Sequence, residues 1–265
     1  MARRAREPQH RHPPPTRRVI ATADARWFSS TVSSCLIVFG VALIVRLVVA
    51  AHGSSLVSER NLVEAEAAYR RALAMDSNSG LAWDGLGLVF YDSHRMPEAR
   101  GAFQRALALD QQNATAVFHQ ALVDEQEERA DAAVDGYRRA LDLNPQNIEI
   151  TRHLGVALLR SGKAADSIPY LRTVAEQSPG GVDAHRALAT AFGIAGQTSA
   201  AMREMQKVVE LSPADSEGWL DLCLLSLDAG DLPGASIALQ RARDNGARPE
   251  RVEFASAAIN RTRGK

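Results

Sequence analysis

Seven histidines and two cysteines are the residues best able to do chemistry in this chain, so their spacing decides which reactions are open to it. His119 and His153 form the suggestive pair, at a separation that recurs elsewhere in the chain. With no cysteine or carboxylate partner at ligand spacing, they read as surface or core histidines rather than metal ligands. His10 and His12 fall in an arginine- and proline-rich tail. Cys35 lies in an apolar run, and Cys223 in a helical pattern far along the chain. They form neither a Cys-x-x-Cys motif nor a disulfide framework. Gly85-Leu86-Gly87 lacks the third glycine and the preceding strand of a phosphate loop. There is no P-loop, no His-Glu-x-x-His and no Gly-x-Ser-x-Gly. The residues therefore predict no catalytic centre, cofactor, metal or small-molecule substrate, and a chain that is not an enzyme.

The elements that position these residues recur. Trp83-x-x-Leu86-Gly87-x-x-Phe90 is followed by Ala99-x-x-x-Phe103-x-x-Ala106, and the step from Gly87 to Ala121, taken repeatedly, recovers the same positions. Ala133, Tyr137, Ala140 and Pro145 close residues 114–147. Leu154, Gly155, Leu171, Val174 and Pro179 mark 148–181, and Leu188, Ala189, Ala201, Met205 and Pro213 mark 182–215. Trp219, Leu222, Cys223, Ala235, Leu239 and Ala242 mark 216–249. Apolar residues return at three- and four-residue spacing in both halves of each unit, which predicts two amphipathic helices. Gly87, Ala121, Gly155, Ala189 and Cys223 share one slot, where neighbouring helices approach too closely for a large side chain. Gly162, Gly196 and Gly230 share another, suited to a left-handed cap. Pro97 and Pro233 stand at helix starts, where a missing N–H costs nothing.

This pattern resembles the tetratricopeptide repeat family. The resemblance covers residues 58–249: a half repeat over 58–79 and full repeats at 80–113, 114–147, 148–181, 182–215 and 216–249. It implies an all-α fold, a right-handed solenoid of helix pairs, with residues 250–265 as a capping helix and tail. Val117, Thr151 and His185 depart from the family's tryptophan.

The family binds ligands along its first helices. Carried over slot by slot, the resemblance implies a groove of Asp84, Leu88, Tyr91, Phe118, Leu122, Arg152, Val156, Arg186, Thr190, Leu220 and Leu224. Phe118 is expected to face the open groove. Arg152 and Arg186 are expected either to grip a partner's carboxylates or to pair with Glu149 and Asp183 three residues earlier. The Lys/Asn clamp of chaperone adaptors is missing: its slots hold Asp84, Leu88 and Phe118.

Upstream, residues 1–26 are basic and have little to bury, which predicts a disordered tail. Residues 27–51 contain the apolar run from Cys35 to Ala51 and predict a single transmembrane helix that precedes the solenoid. Arg46 opposes this with about 2.5–3.5 kcal/mol at mid-bilayer, a cost that snorkelling reduces. A signal peptide cleaved after Val49-Ala50-Ala51 is the rival reading. Of 31 basic and 31 acidic residues, eight arginines but only Glu7 and Asp24 fall within residues 1–52. The positive-inside rule then leaves the N-terminus in the cytoplasm and the repeats across a membrane, with a bacterial inner membrane facing the periplasm fitting an arginine-rich chain. The acidic remainder argues against nucleic acid as a partner. The expected function is a membrane-anchored protein-interaction scaffold or assembly factor. The alternative is an accessory subunit of an envelope enzyme machine, as in cytochrome c maturation, pilus assembly or polysaccharide export.

Overall fold

Ser79, Asn113, Asn147 and Asp215 fall at one slot of the repeating unit, and each starts a helix. Their side chains accept hydrogen bonds from Ala82, Ala116, Ile150 and Gly218 backbone N–H groups at 3.1–3.3 Å, which satisfies donors that a helix N-terminus leaves without partners. Gly181 holds the same slot and the same extended backbone without a side-chain bond.

The structure, a computed structural model, describes residues 59–263. Twelve helices run through them, with no strand among the described residues. The first is α1 (Glu59–Met75). Five pairs follow: α2 (Gly80–Asp92) with α3 (Met96–Leu109), and α4 (Ala114–Gln126) with α5 (Ala130–Leu143). Then come α6 (Ile148–Arg160) with α7 (Ala164–Gln177), α8 (Val182–Ile194) with α9 (Thr198–Leu211), and α10 (Ser216–Asp228) with α11 (Leu232–Asp244). The last is α12 (Pro249–Arg263). The basic tail at 1–26 and the apolar span at 27–51 lie outside the described residues. Among the described residues, no helix is long and apolar enough to cross a membrane.

Within each pair the close-approach slot works as its small residues require. A Cβ on Gly87 would meet the Phe103 ring at 2.4 Å, and one on Gly155 would meet Leu171 at 2.8 Å. Ala121, Ala189 and Cys223 fill the slot elsewhere and are buried. Phe103 and Tyr137 are fully buried between helices. The turn after each first helix is left-handed at Gly162, Gly196 and Gly230, but also at His94 (φ 56°) and Glu128 (φ 58°). Pro97 and Pro233 occupy first turns, whereas Pro169 lies inside α7.

The tryptophan slot has a polar purpose. Nε1 of Trp83 donates to the Ser77 carbonyl (2.9 Å) and Nε1 of Trp219 to the Pro213 carbonyl (2.8 Å), each six residues upstream. At the C-terminal end, Ala255 and Ile259 of α12 are buried in the cluster that holds Leu220, Cys223 and Leu239. Arg248 and Arg251 pair with Glu217 of α10, and Arg251 also reaches Asp221.

Candidate functional site

Successive first helices lie side by side, and one register relates them. Asp84 meets His119 (2.8 Å), the Phe118 and His153 rings lie 5.2 Å apart, and Arg186 reaches Asp221 at 4.0 Å. Arg160 pairs with Glu125. In each case the partners stand 35 positions apart, so a slot in one unit faces the following slot in the next.

This register corrects several expectations. Phe118 does not face an open groove: it is 7% exposed, closed over by Tyr137 from α5 and His153 from α6. Asp84 is buried and tied to His119. Leu220 is buried, in the cluster that Ala255 and Ile259 of α12 join. Arg186 pairs with Asp215, which caps α10, and with Asp221 of α10, rather than with Asp183 of its own helix. Arg152 is exposed and donates to His153 Nε2 at 2.9 Å rather than to Glu149. That bond makes Nε2 the acceptor, which leaves the ring hydrogen on Nδ1, the atom 3.5 Å from Glu125.

The other groove residues share a surface. Leu88, Leu122, Val156 and Leu224 occupy one slot of four units and are half-buried, while Thr190, in the same slot, is exposed and bonds the Arg186 carbonyl. Tyr91, also half-buried, lies near Glu125. Burial, with the charges of Glu125 and Asp92, pushes the Tyr91 hydroxyl up.

Glu125 is the electrostatic centre of this face, a role that the sequence patterns did not reveal. Burial alone would raise its carboxyl, but hydrogen bonds from His153 and Tyr137 and the charge of Arg160 outweigh it and hold it below the ordinary carboxylate range. Glu217 and Asp221, which anchor α12, were also missed as paired groups. Burial raises the Asp221 carboxyl, with Arg186 opposing and Asp215 adding to the rise. The signal that finds the first-helix pairs is a complementary residue 35 positions on. No group of three or more His, Cys, Asp or Glu among the described residues is placed to hold a metal ion.

What the arrangement offers is a strip of partly exposed apolar side chains beside Tyr91 and Arg152. No curated protein matches the chain significantly in sequence. Solved structures match its fold. A tetratricopeptide repeat protein with an unusual peptide-binding site, YrrB, superposes with a TM-score of 0.68 at 18% identity, covering 71% of this chain and 97% of that one. Pseudomonas aeruginosa pilF gives 0.67 at 16%, covering 86% and 99%. MamA from AMB-1 gives 0.60 at 19%, covering 66% and 97%. The tetratricopeptide repeat profile matches residues 50–114, 85–148, 118–182 and 153–216. The matched segments together span residues 50–216, more than half of the sequence, and contain α1 to α9, so the chain belongs to the tetratricopeptide repeat family.

Proposed function

We propose that the chain is a protein-interaction scaffold, held at a membrane by residues 27–51, whose first-helix face receives an extended or helical segment of a partner protein. The observation that carries the reading is the apolar row of Leu88, Leu122 and Val156 in three successive units, continued by Leu224 beyond Thr190, partly open to solvent at one slot. Apolar side chains kept at a surface in a line favour an ordered segment laid across the units over a single small ligand. Tyr91 supplies an aromatic anchor and Arg152 a guanidinium for a partner's carboxylate or carbonyl. The likeness to a peptide-binding repeat protein supports a protein ligand. Phe118 takes no direct part in this reading, since its ring belongs to the core.

The test is cross-linking of the full chain in its native membrane, followed by purification and identification of what it holds. Leu122→Ala and Arg152→Glu should each weaken retention of the partner while helicity stays near wild type. Retention of the partner by both variants would place the ligand elsewhere. Reporter fusions joined after about residue 80 test the membrane reading: activity confined to the cytoplasmic reporter would sink the proposed orientation.

A further inference from the structure

The opposite side of the repeats is formed by the second helices, and grooves between them are floored by three slots of the intervening first helix. Between α7 and α9 the floor is His185, Leu188 and Phe192, and Arg172 lies over the Phe192 ring. The cavity there is about 380 Å³. One unit further, between α9 and α11, the floor is Trp219, Leu222 and Ser226. Ser226 stands where Phe90, Leu158 and Phe192 stand in three other units, and Gly234 stands where α9 has Ala200. The Asp231 carboxylate fills the place of a Cβ at Gly234, so Ser226 is the change that reduces the floor, and the cavity is about 670 Å³.

The same groove keeps an apolar wall open to water. Ile237 is 64% exposed and lines the cavity from α11. Its charges are unevenly engaged. Glu210 accepts from Gln206, Asp231 caps the backbone N–H of Gly234, and Lys207 is held by Glu204. Arg203 on the α9 wall and Arg241 on the α11 wall have no side-chain partner among the described residues. The Ser226 hydroxyl, at the floor, has none either.

We propose that the groove between α9 and α11 docks a segment of a partner protein that presents one large apolar side chain flanked by carboxylates. The apolar side chain enters over Trp219 and Leu222, above the Ser226 floor and against Ile237. The flanking carboxylates meet the guanidinium groups of Arg203 and Arg241, which offer paired donors in the geometry that carboxylates accept. This site does not depend on the first-helix face, and one partner can engage the two independently.

A phage-displayed library of short random peptides, panned against the full chain in detergent micelles, tests the proposal. Enriched peptides should carry a Leu, Phe or Trp beside Asp or Glu. Their affinity should fall about tenfold or more with Ile237→Asp, with Ser226→Phe, and with joint Arg203→Glu and Arg241→Glu. Arg105→Glu, at the slot of Arg241 but in α3, should leave affinity unchanged. If Ser226→Phe unfolds early, Ile237→Asp, on its exposed side chain, decides the outcome. Absence of enrichment, enriched peptides without acidic residues, or affinity indifferent to Ile237→Asp and to the charge reversal would overturn it. Peptides lost with Arg152→Glu but not with Ile237→Asp would uphold the first-helix face and overturn this site.

Discussion

Nε2 of His185 lies 3.1 Å from the carbonyl oxygen of Pro179, the position that the indoles of Trp83 and Trp219 reach from the same slot. A carbonyl only accepts, so Nε2 carries a hydrogen, and the imidazole reproduces the indole's bond with a smaller ring. Its other nitrogen lies 2.7 Å from Glu204. His185→Ala should therefore cost about 1–3 kcal/mol, the range for a buried polar group that loses its partner. His185→Trp should recover part of that loss, because the adjoining cavity of about 380 Å³ has room for an indole. Urea denaturation of both variants measures the difference; equal losses would show that the bond to Pro179 contributes nothing.

The left-handed turns give a second test. His94 and Glu128 occupy positive φ where three other units have glycine, and a side chain in that region costs roughly 1–2 kcal/mol. Glycine also enlarges the unfolded ensemble, so His94→Gly and Glu128→Gly should each gain about 0.5–1 kcal/mol net. Gly196→Ala should lose about as much. Denaturation midpoints check the signs, which must be opposite.

Helix contact at the small-residue slot is a third. Cys223 is fully buried, and burial raises its thiol. Cys223→Ala should be mild, whereas Cys223→Leu should overpack the slot by about 1–3 kcal/mol. Gly87→Ala should cost a similar amount, since its Cβ would meet the Phe103 ring. An unchanged melting temperature for Cys223→Leu would refute the close approach of α10 and α11.

The fourth concerns acid. Glu125 is held below its ordinary value near 4.5. A carboxylate depressed in the folded state contributes stability above its unfolded pKa and loses it as pH falls through the folded one. Melting of the wild type should therefore decline more steeply than that of Glu125→Gln from about pH 5 to about pH 3. Parallel declines would show that the bonds from Tyr137, His153 and Arg160 do not favour the ionised form.

Relations inside one unit were legible in the sequence. Cap glycines such as Gly162, small-residue slots and buried aromatics such as Phe103 and Tyr137 depend on spacings of a few residues, fixed by the helix itself. Relations between units were not. Asp84 with His119 and Glu125 with Arg160 are joined by the offset of neighbouring first helices, a quantity set by packing that leaves no mark on the helical period. Phe118 illustrates the consequence: its slot pointed to a groove, but the rings that close over it come from α5 and α6, one from its own unit and one from the next.

The repeat interval, unbroken from Gly80 to Pro249, gives the molecule something like a reading frame. Loss of one residue between Ala114 and Leu211 puts every later side chain out of phase with the surface it meets. Excision of residues 148–181 as a block restores the phase, bringing α5 against α8 through the contacts that α5 and α6 now share. Such a chain is shorter in whole units, and its length can change by duplication or deletion without redesign of any helix.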